Sequence, residues 1–240
     1  MPPDFEELDY QETPLGTLIL RRRRLRSLDD LEVYEIILGE GYLMSSLFTT
    51  VEIALANLAL ALLPAEKKEL AVAVGGLGLG YTAQAALKDS RVSELVVVEA
   101  LPEVIGWHRR ELVPLGKELH NDPRCRLIEG DFFSLAAGQG FDPGEPGRCF
   151  DAILLDIDHS PRNLIHERHQ GFYSLSGLRR LRSLLHPGGI FAMWSDDPPD
   201  KHFEDLLLVV RVAALEWVGE DGIGTHRRQL PHVSGQDEIQ

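Results

Sequence analysis

Cysteine is scarce in this 240-residue chain: there are two, Cys125 and Cys149, and no CxxC pair. That excludes a disulfide framework and offers no zinc-binding spacing. Basic residues are also few, 24 against 38 acidic ones, for a net charge of −14. Nucleic acid and anionic membrane are therefore excluded as main partners, since both need a basic surface. Long apolar runs are missing too. The longest, IALANLALALL at 53–63, ends at Pro64 and is too short to span a bilayer. The opening MPPDFEELDYQETP is acidic and lacks an apolar centre, so it does not read as a signal peptide. These absences together predict a cytoplasmic protein. No internal repeat or low-complexity segment stands out.

What is present suffices for a core, with 44% of residues apolar. Residues 1–14 read as a flexible arm. LGTLILR, EVYEIIL and GYLM, punctuated by Asp29, Asp30, Gly39 and Gly41, read as a small β cap. The RRRR at 21–24 reads as a solvated or ion-paired edge. Residues 47–63 are apolar nearly all round, as in a buried helix, which completes a first unit at 15–64.

From residue 65 to 220 strands and helices alternate. Strands are expected in ELAVAVG (69–75), ELVVVEA (94–100), RCRLIEGD (124–131), FDAILLDID (150–158) and IFAMWS (190–195). Helices are expected over 81–89, 102–119, 177–185 and 199–213. Apolar strands alternating with helices predict an α/β, doubly wound, mostly parallel Rossmann-like sheet. Residues 221–240 read as an irregular tail with no convincing final strand. Trp107 is expected in the core and His108 in solvent; Trp194, ending the fifth strand, is read as pocket wall or core.

The loop between the first strand and helix of this unit holds Gly75, Gly76, Gly78 and Gly80. Such a loop presents backbone N–H groups and a helix N-terminus to a ligand. No lysine lies between Gly75 and Leu87, which excludes a P-loop. Tyr81 occupies the place of the last glycine in a dinucleotide fingerprint, which weakens a nicotinamide reading. Packing of helix on strand is the alternative role for these glycines. Glu99 ends the next strand, where a carboxylate accepts hydrogen bonds from ribose hydroxyls. Ala100 and Leu101 follow it. Asp131, in Gly130-Asp131-Phe132, can accept from an adenine amino group while Phe132 flanks the ring. Asp156 ends the fourth strand.

Glycine loop, ribose acid, G-D and F-D-x-I-x-x-D occur in the order and spacing that resemble class I S-adenosylmethionine-dependent transferases, over about residues 69–214. Within them DPRCRLIEGDFF (122–133), the stretch from Asp156 to Phe172-Tyr173, and the small β cap are similar to spermidine synthases, the polyamine aminopropyltransferases. The resemblance implies an adenosyl-sulfonium cofactor, S-adenosylmethionine or its decarboxylated form. It also implies a small-molecule acceptor and a homodimer. Two positions differ from that family. Counting back from Glu99 puts Leu79 where those synthases carry an aspartate that pairs with the ammonium tail of decarboxylated S-adenosylmethionine. His159 stands where their catalytic loop has its second aspartate.

Catalysis by in-line displacement at carbon needs an oriented nucleophile and a proton acceptor. Asp156, Asp158 and His159 are the candidates, against an unreactive polar loop. His166 and His169 could join them at a metal, but the HxxH spacing is not a zinc-protease motif, and a solvated loop without metal is the expectation. Loss of the tail-reading aspartate makes methyl transfer from S-adenosylmethionine the leading expectation. A divergent aminopropyltransferase and a non-catalytic cofactor-binding protein are the alternatives.

Overall fold

The computed structural model describes residues 4–157, 160–164, 166–195, 197, 200–210 and 213–218. Its first sheet is antiparallel, with β1 (Phe5–Thr13), β2 (Gly16–Leu25), β3 (Leu31–Leu38) and β4 (Gly41–Ser45) in that order. Leu18, Leu20 and Ile36 lie on one face and are buried. The arginine run is ion-paired, but it is not an edge, because β2 lies between β1 and β3. Period-two alternation divides it between the faces. Arg21 and Arg23 grip the buried Glu35 at 2.5 and 2.6 Å; Arg22 pairs with Glu6 at 2.5 Å and Arg24 with Glu32 at 3.1 Å. These pairs also correct the expected arm. Residues 5–13 form β1, paired along β2, with Glu6 meeting Arg22 across the strand pair and Asp9 meeting Arg110.

After α1 (Thr50–Ala61) comes the larger unit. It comprises β5 (Leu70–Gly75), α2 (Tyr81–Lys88), β6 (Val92–Glu99), α3 (Pro102–Arg109), α4 (Gly116–Asn121), β7 (Cys125–Glu129) and α5 (Phe132–Ala137). β8 (Phe150–Leu155), α6 (Leu175–Arg182), β9 (Leu185–Ser195), α7 (Lys201–Val210) and β10 (Ala213–Val218) complete it. Every described strand pair is parallel, in the order β10-β9-β8-β5-β6-β7. The chain winds outward from β5 to β7, then returns to β8 on the other side. The gap between the carboxyl ends of β5 and β8 is thus the topological switch point, where such sheets bind ligands.

Alternate residues of the inner strands feed two cores. Val72, Val74, Ala152 and Leu154 face a layer containing α1, α2 and α3, including Leu55, Leu60 and Trp107. Ala73, Ile153 and Leu155 face an aromatic layer of Phe132, Phe141, Phe150, Phe172 and Phe191. Burying each of the valine, leucine, isoleucine and phenylalanine side chains contributes roughly 1.5–3 kcal/mol.

Two expected features differ. The single helix over 102–119 is broken into α3 and α4. Glu111 takes a left-handed φ of +57°, and Pro114 can neither donate a helical hydrogen bond nor leave Val113 in helical backbone. His108, expected in solvent, is fully buried, with Nε2 2.9 Å from the Gly78 carbonyl oxygen. Among the described residues no helix is long and apolar enough to cross a membrane. The expected tail at 221–240 lies outside the described residues.

Candidate functional site

The glycine loop is shaped by close approach. A Cβ on Gly75 would lie 2.4 Å from the Phe132 ring. One on Gly76 (φ +94°) would lie 2.0 Å from the Asp156 carbonyl oxygen, and one on Gly78 (φ +48°) 2.8 Å from Met44 Sδ. A side chain at Gly76 would need the backbone at Asp156 to move, and one at Gly75 or Gly78 would need the Phe132 or Met44 side chain to move. The loop amides expected to face a ligand are instead engaged inside the protein. Gly76 N–H donates to Val98 and Gly80 N–H to Leu77, at 2.9 and 2.8 Å. Leu77 N–H donates to Glu99 Oε2 at 2.9 Å.

Glu99 therefore ties the loop to the end of β6. Its other oxygen accepts from Leu101 N–H at 2.9 Å. Burial raises the Glu99 pKa, and the surrounding amides of Leu101, Leu77, Gly78 and Ala100 moderate the rise.

Beside this carboxylate, at the switch point, is a cavity of about 280 Å³. Gly76, Gly78, Glu99, Ala100, Leu101, Gly130, Phe132 and Asp156 line it, as do Trp194 and the first-sheet residues Ile36, Leu38, Leu43 and Met44. Three of the site residues expected from sequence do not line it. Gly75 packs on Phe132, and Gly80 packs under Leu119 and His108. Asp131 is committed elsewhere: Oδ1 caps α5 by accepting from Ser134 N–H at 2.8 Å, and Oδ2 meets Arg168 at 2.8 Å and His169 at 3.3 Å. Burial alone would raise its pKa, but the Ser134 amide, His169 and Arg168 hold it below the usual carboxylate range. His169 is not solvated as expected; it is buried and stacks on Phe133 at 4.2 Å. Among the described residues no group of three or more His, Cys, Asp and Glu gathers as a metal site.

Asp156 is half-buried against α2, where Thr82 Oγ1 donates to its Oδ2 at 2.5 Å. Burial pushes its pKa up to about 6, moderated by that hydroxyl. Asp158 and His159 lie outside the described residues. Beyond them, Ser160 Oγ donates to Asp197, and Asn163 Nδ2 donates to the same oxygen at 2.7 Å, so Asp197 anchors this loop.

Sequence reasoning missed Glu52, on α1, which lines the same cavity as Asp156. Burial raises its pKa to about 7, and the Asp156 carboxylate adds to the rise. The signal was available: Glu52 is the one charged residue in the apolar stretch 47–63. Glu52, Glu99 and Asp156 thus give the cavity three carboxylates, and no lysine, arginine or histidine is among the described residues lining it.

No protein-family model matches the chain. A polyamine aminopropyltransferase from Prochlorococcus marinus (strain MIT 9313) is 29% identical over 155 residues, covering 63% of this chain and 50% of that protein. The chain therefore spans about half the length of this curated relative. Among solved structures, a spermidine synthase in complex with the transition-state analogue AdoDATO superposes with a TM-score of 0.62 at 17% identity, over 85% of this chain and 64% of that one. Spermidine synthase from Thermotoga maritima gives 0.61 at 17% identity, over 86% and 64%. The chain thus shares the Rossmann-like fold of these spermidine synthases, with a small antiparallel N-terminal sheet.

Proposed function

We propose that the chain carries out aminopropyl transfer, moving the propylamine arm of decarboxylated S-adenosylmethionine to an amine acceptor. The observation that carries this reading is the acidic cavity: Glu52, Glu99 and Asp156 line it, and no basic side chain does so among the described residues. A sulfonium with an ammonium tail suits that wall. The carboxylate of intact S-adenosylmethionine does not. Two like charges about 4 Å apart repel by about 4 kcal/mol at an effective dielectric constant of about 20. The likeness to a polyamine aminopropyltransferase points the same way. Methyl transfer, the leading expectation from sequence, rested on the missing loop aspartate alone, and Glu52 supplies acidity from another element.

The residues present fit such a ligand. Glu99 lines the cavity at the end of β6, where a carboxylate meets a ribose in sheets of this kind, and the buried Trp194 Nε1–H has no partner among the described residues. The bound sulfonium supplies an activated carbon and a neutral thioether leaving group. The protein must orient the acceptor amine and remove its proton. Asp156, ionised above about pH 6 and at the switch point, is placed to take that proton as the new C–N bond forms and the C–S bond breaks.

The test is product analysis. Protein incubated with putrescine and decarboxylated S-adenosylmethionine should yield methylthioadenosine, while intact S-adenosylmethionine should yield nothing. Adenosylhomocysteine from the intact form would restore methyl transfer. Neither product, with measurable nucleoside binding, would leave a binding protein.

A further inference from the structure

We propose that Glu52 selects the sulfonium ligand by its tail: beside Asp156 it receives a bare ammonium and turns away a tail that carries a carboxylate. This inference rests on the reading of the cavity as an adenosyl-sulfonium site.

The three cavity carboxylates are not equivalent. Glu99 is held on both oxygens by backbone amides of the loops it joins, which assigns it to the ribose end. Glu52 and Asp156 form a second group. Thr82 Oγ1 lies 3.2 Å from the Glu52 carbonyl oxygen and 2.5 Å from Asp156 Oδ2, so α1, α2 and the end of β8 meet there. Trp194 lines the same cavity and offers an aromatic surface to a cation.

Leu79, the loop position where an acid is expected by count, is fully buried in the core. It offers nothing to a ligand. The acidity has moved from the loop to the helix that crosses it.

A packing role for Glu52 does not explain these facts. The rest of α1 is apolar or uncharged, and Glu52 stands in its first turn, where a carboxylate also suits the helix N-terminus. What the helix end does not account for is a second carboxylate in the same cavity, with no ion pair reaching either among the described residues. The ionisable groups facing Glu52 are Asp156 and Tyr81. Two neighbouring half-buried acids without a cation are an arrangement that a cationic ligand completes. Desolvation raises the pKa of each, and the Asp156 charge adds to the rise at Glu52.

Calorimetry with three nucleosides tests this. Methylthioadenosine has no ammonium tail, decarboxylated S-adenosylmethionine has a bare one, and S-adenosylmethionine carries ammonium and carboxylate together. The wild-type protein should bind the decarboxylated form at least tenfold more tightly than the intact form. Glu52→Gln should lose at least tenfold in affinity for the decarboxylated form, narrow that gap, and bind methylthioadenosine unchanged. Glu52→Asp, which keeps the charge, should recover part of the loss. Undiminished binding of the decarboxylated form by Glu52→Gln overturns the proposal and leaves the nucleoside site standing, as does a loss confined to the KM for the amine acceptor. Equal loss of methylthioadenosine would make Glu52 structural and overturn it too. A wild-type protein that binds none of the three overturns both the proposal and the reading beneath it.

Discussion

At Glu52 the folded state holds a proton that the unfolded chain gives up. Its pKa is about 7 in the fold against an ordinary 4.5, so between those values folding takes up a proton. Its contribution is therefore most favourable below about pH 4.5 and is lost as pH rises through 7. Asp156 acts in the same sense between 3.8 and about 6. His108, lowered to about 4 by burial, acts in the opposite sense, but it is common to wild type and variant. Glu52→Gln should thus be more stable than wild type by roughly 1 kcal/mol at pH 8, with the gain vanishing near pH 5. Urea melts at the two values measure it; a constant difference would mean that Glu52 does not titrate in the fold. At this scale the sequence was partly legible. Gly76, Gly78, Glu99 and Asp156 mark strand ends, and a strand end has a position in the sequence. Which partner a carboxylate takes has none. Asp131 was expected to face adenine, but Arg168 and His169 come to it across 37 and 38 residues.

Elements were read best where a period is strict. The five strands expected in the larger unit alternate into two cores, and all five are present. β10 was not foreseen, because six residues at a sheet edge carry little pattern. The break between α3 and α4 was hidden by the apolar spacing on either side of Pro114. In the first sheet, composition misled. The acidic strand β1 and the arginines of β2 each look soluble alone, and only their pairing explains the sheet. The same arginines also reach β3, where Glu35 is 1% exposed between Arg21 and Arg23. Burial would raise its pKa, but hydrogen bonds from Tyr42, Arg23 and Arg21 hold it below the usual range. Glu35→Ala leaves two arginines on β2 without their shared anion and should cost about 2–3 kcal/mol by chemical denaturation. A loss under about 0.5 kcal/mol would show that solvent already screens the pair.

Across the whole molecule, the first sheet and the Rossmann-like unit meet at Asp9. Its Oδ2 accepts from Trp107 Nε1 at 2.6 Å and from Arg110 at 2.7 Å, joining β1 to α3 across about a hundred residues of chain. Burial would raise the Asp9 pKa, but Arg110, Trp107 and Gln11 lower it, so this tether holds above about pH 4 and weakens as acid protonates it. The link matters to the cavity because Ile36, Leu38, Leu43 and Met44 reach it from that sheet. Asp9→Ala leaves the fully buried Trp107 with an unpaired indole N–H, which should cost about 1–3 kcal/mol. The melting temperature should fall by about 2–12 °C, given roughly 2–4 °C for each kcal/mol in a chain of this size. Methylthioadenosine binding should weaken with it, because one wall of its cavity is no longer fixed. Hydrogen exchange separates a tether from a general weakening. Amides of β1 to β4 should exchange faster while those of β5, β6 and β8 keep their protection. Uniform acceleration across both sheets would show instead that the two units unfold as one and that Asp9 is an ordinary member of a shared core.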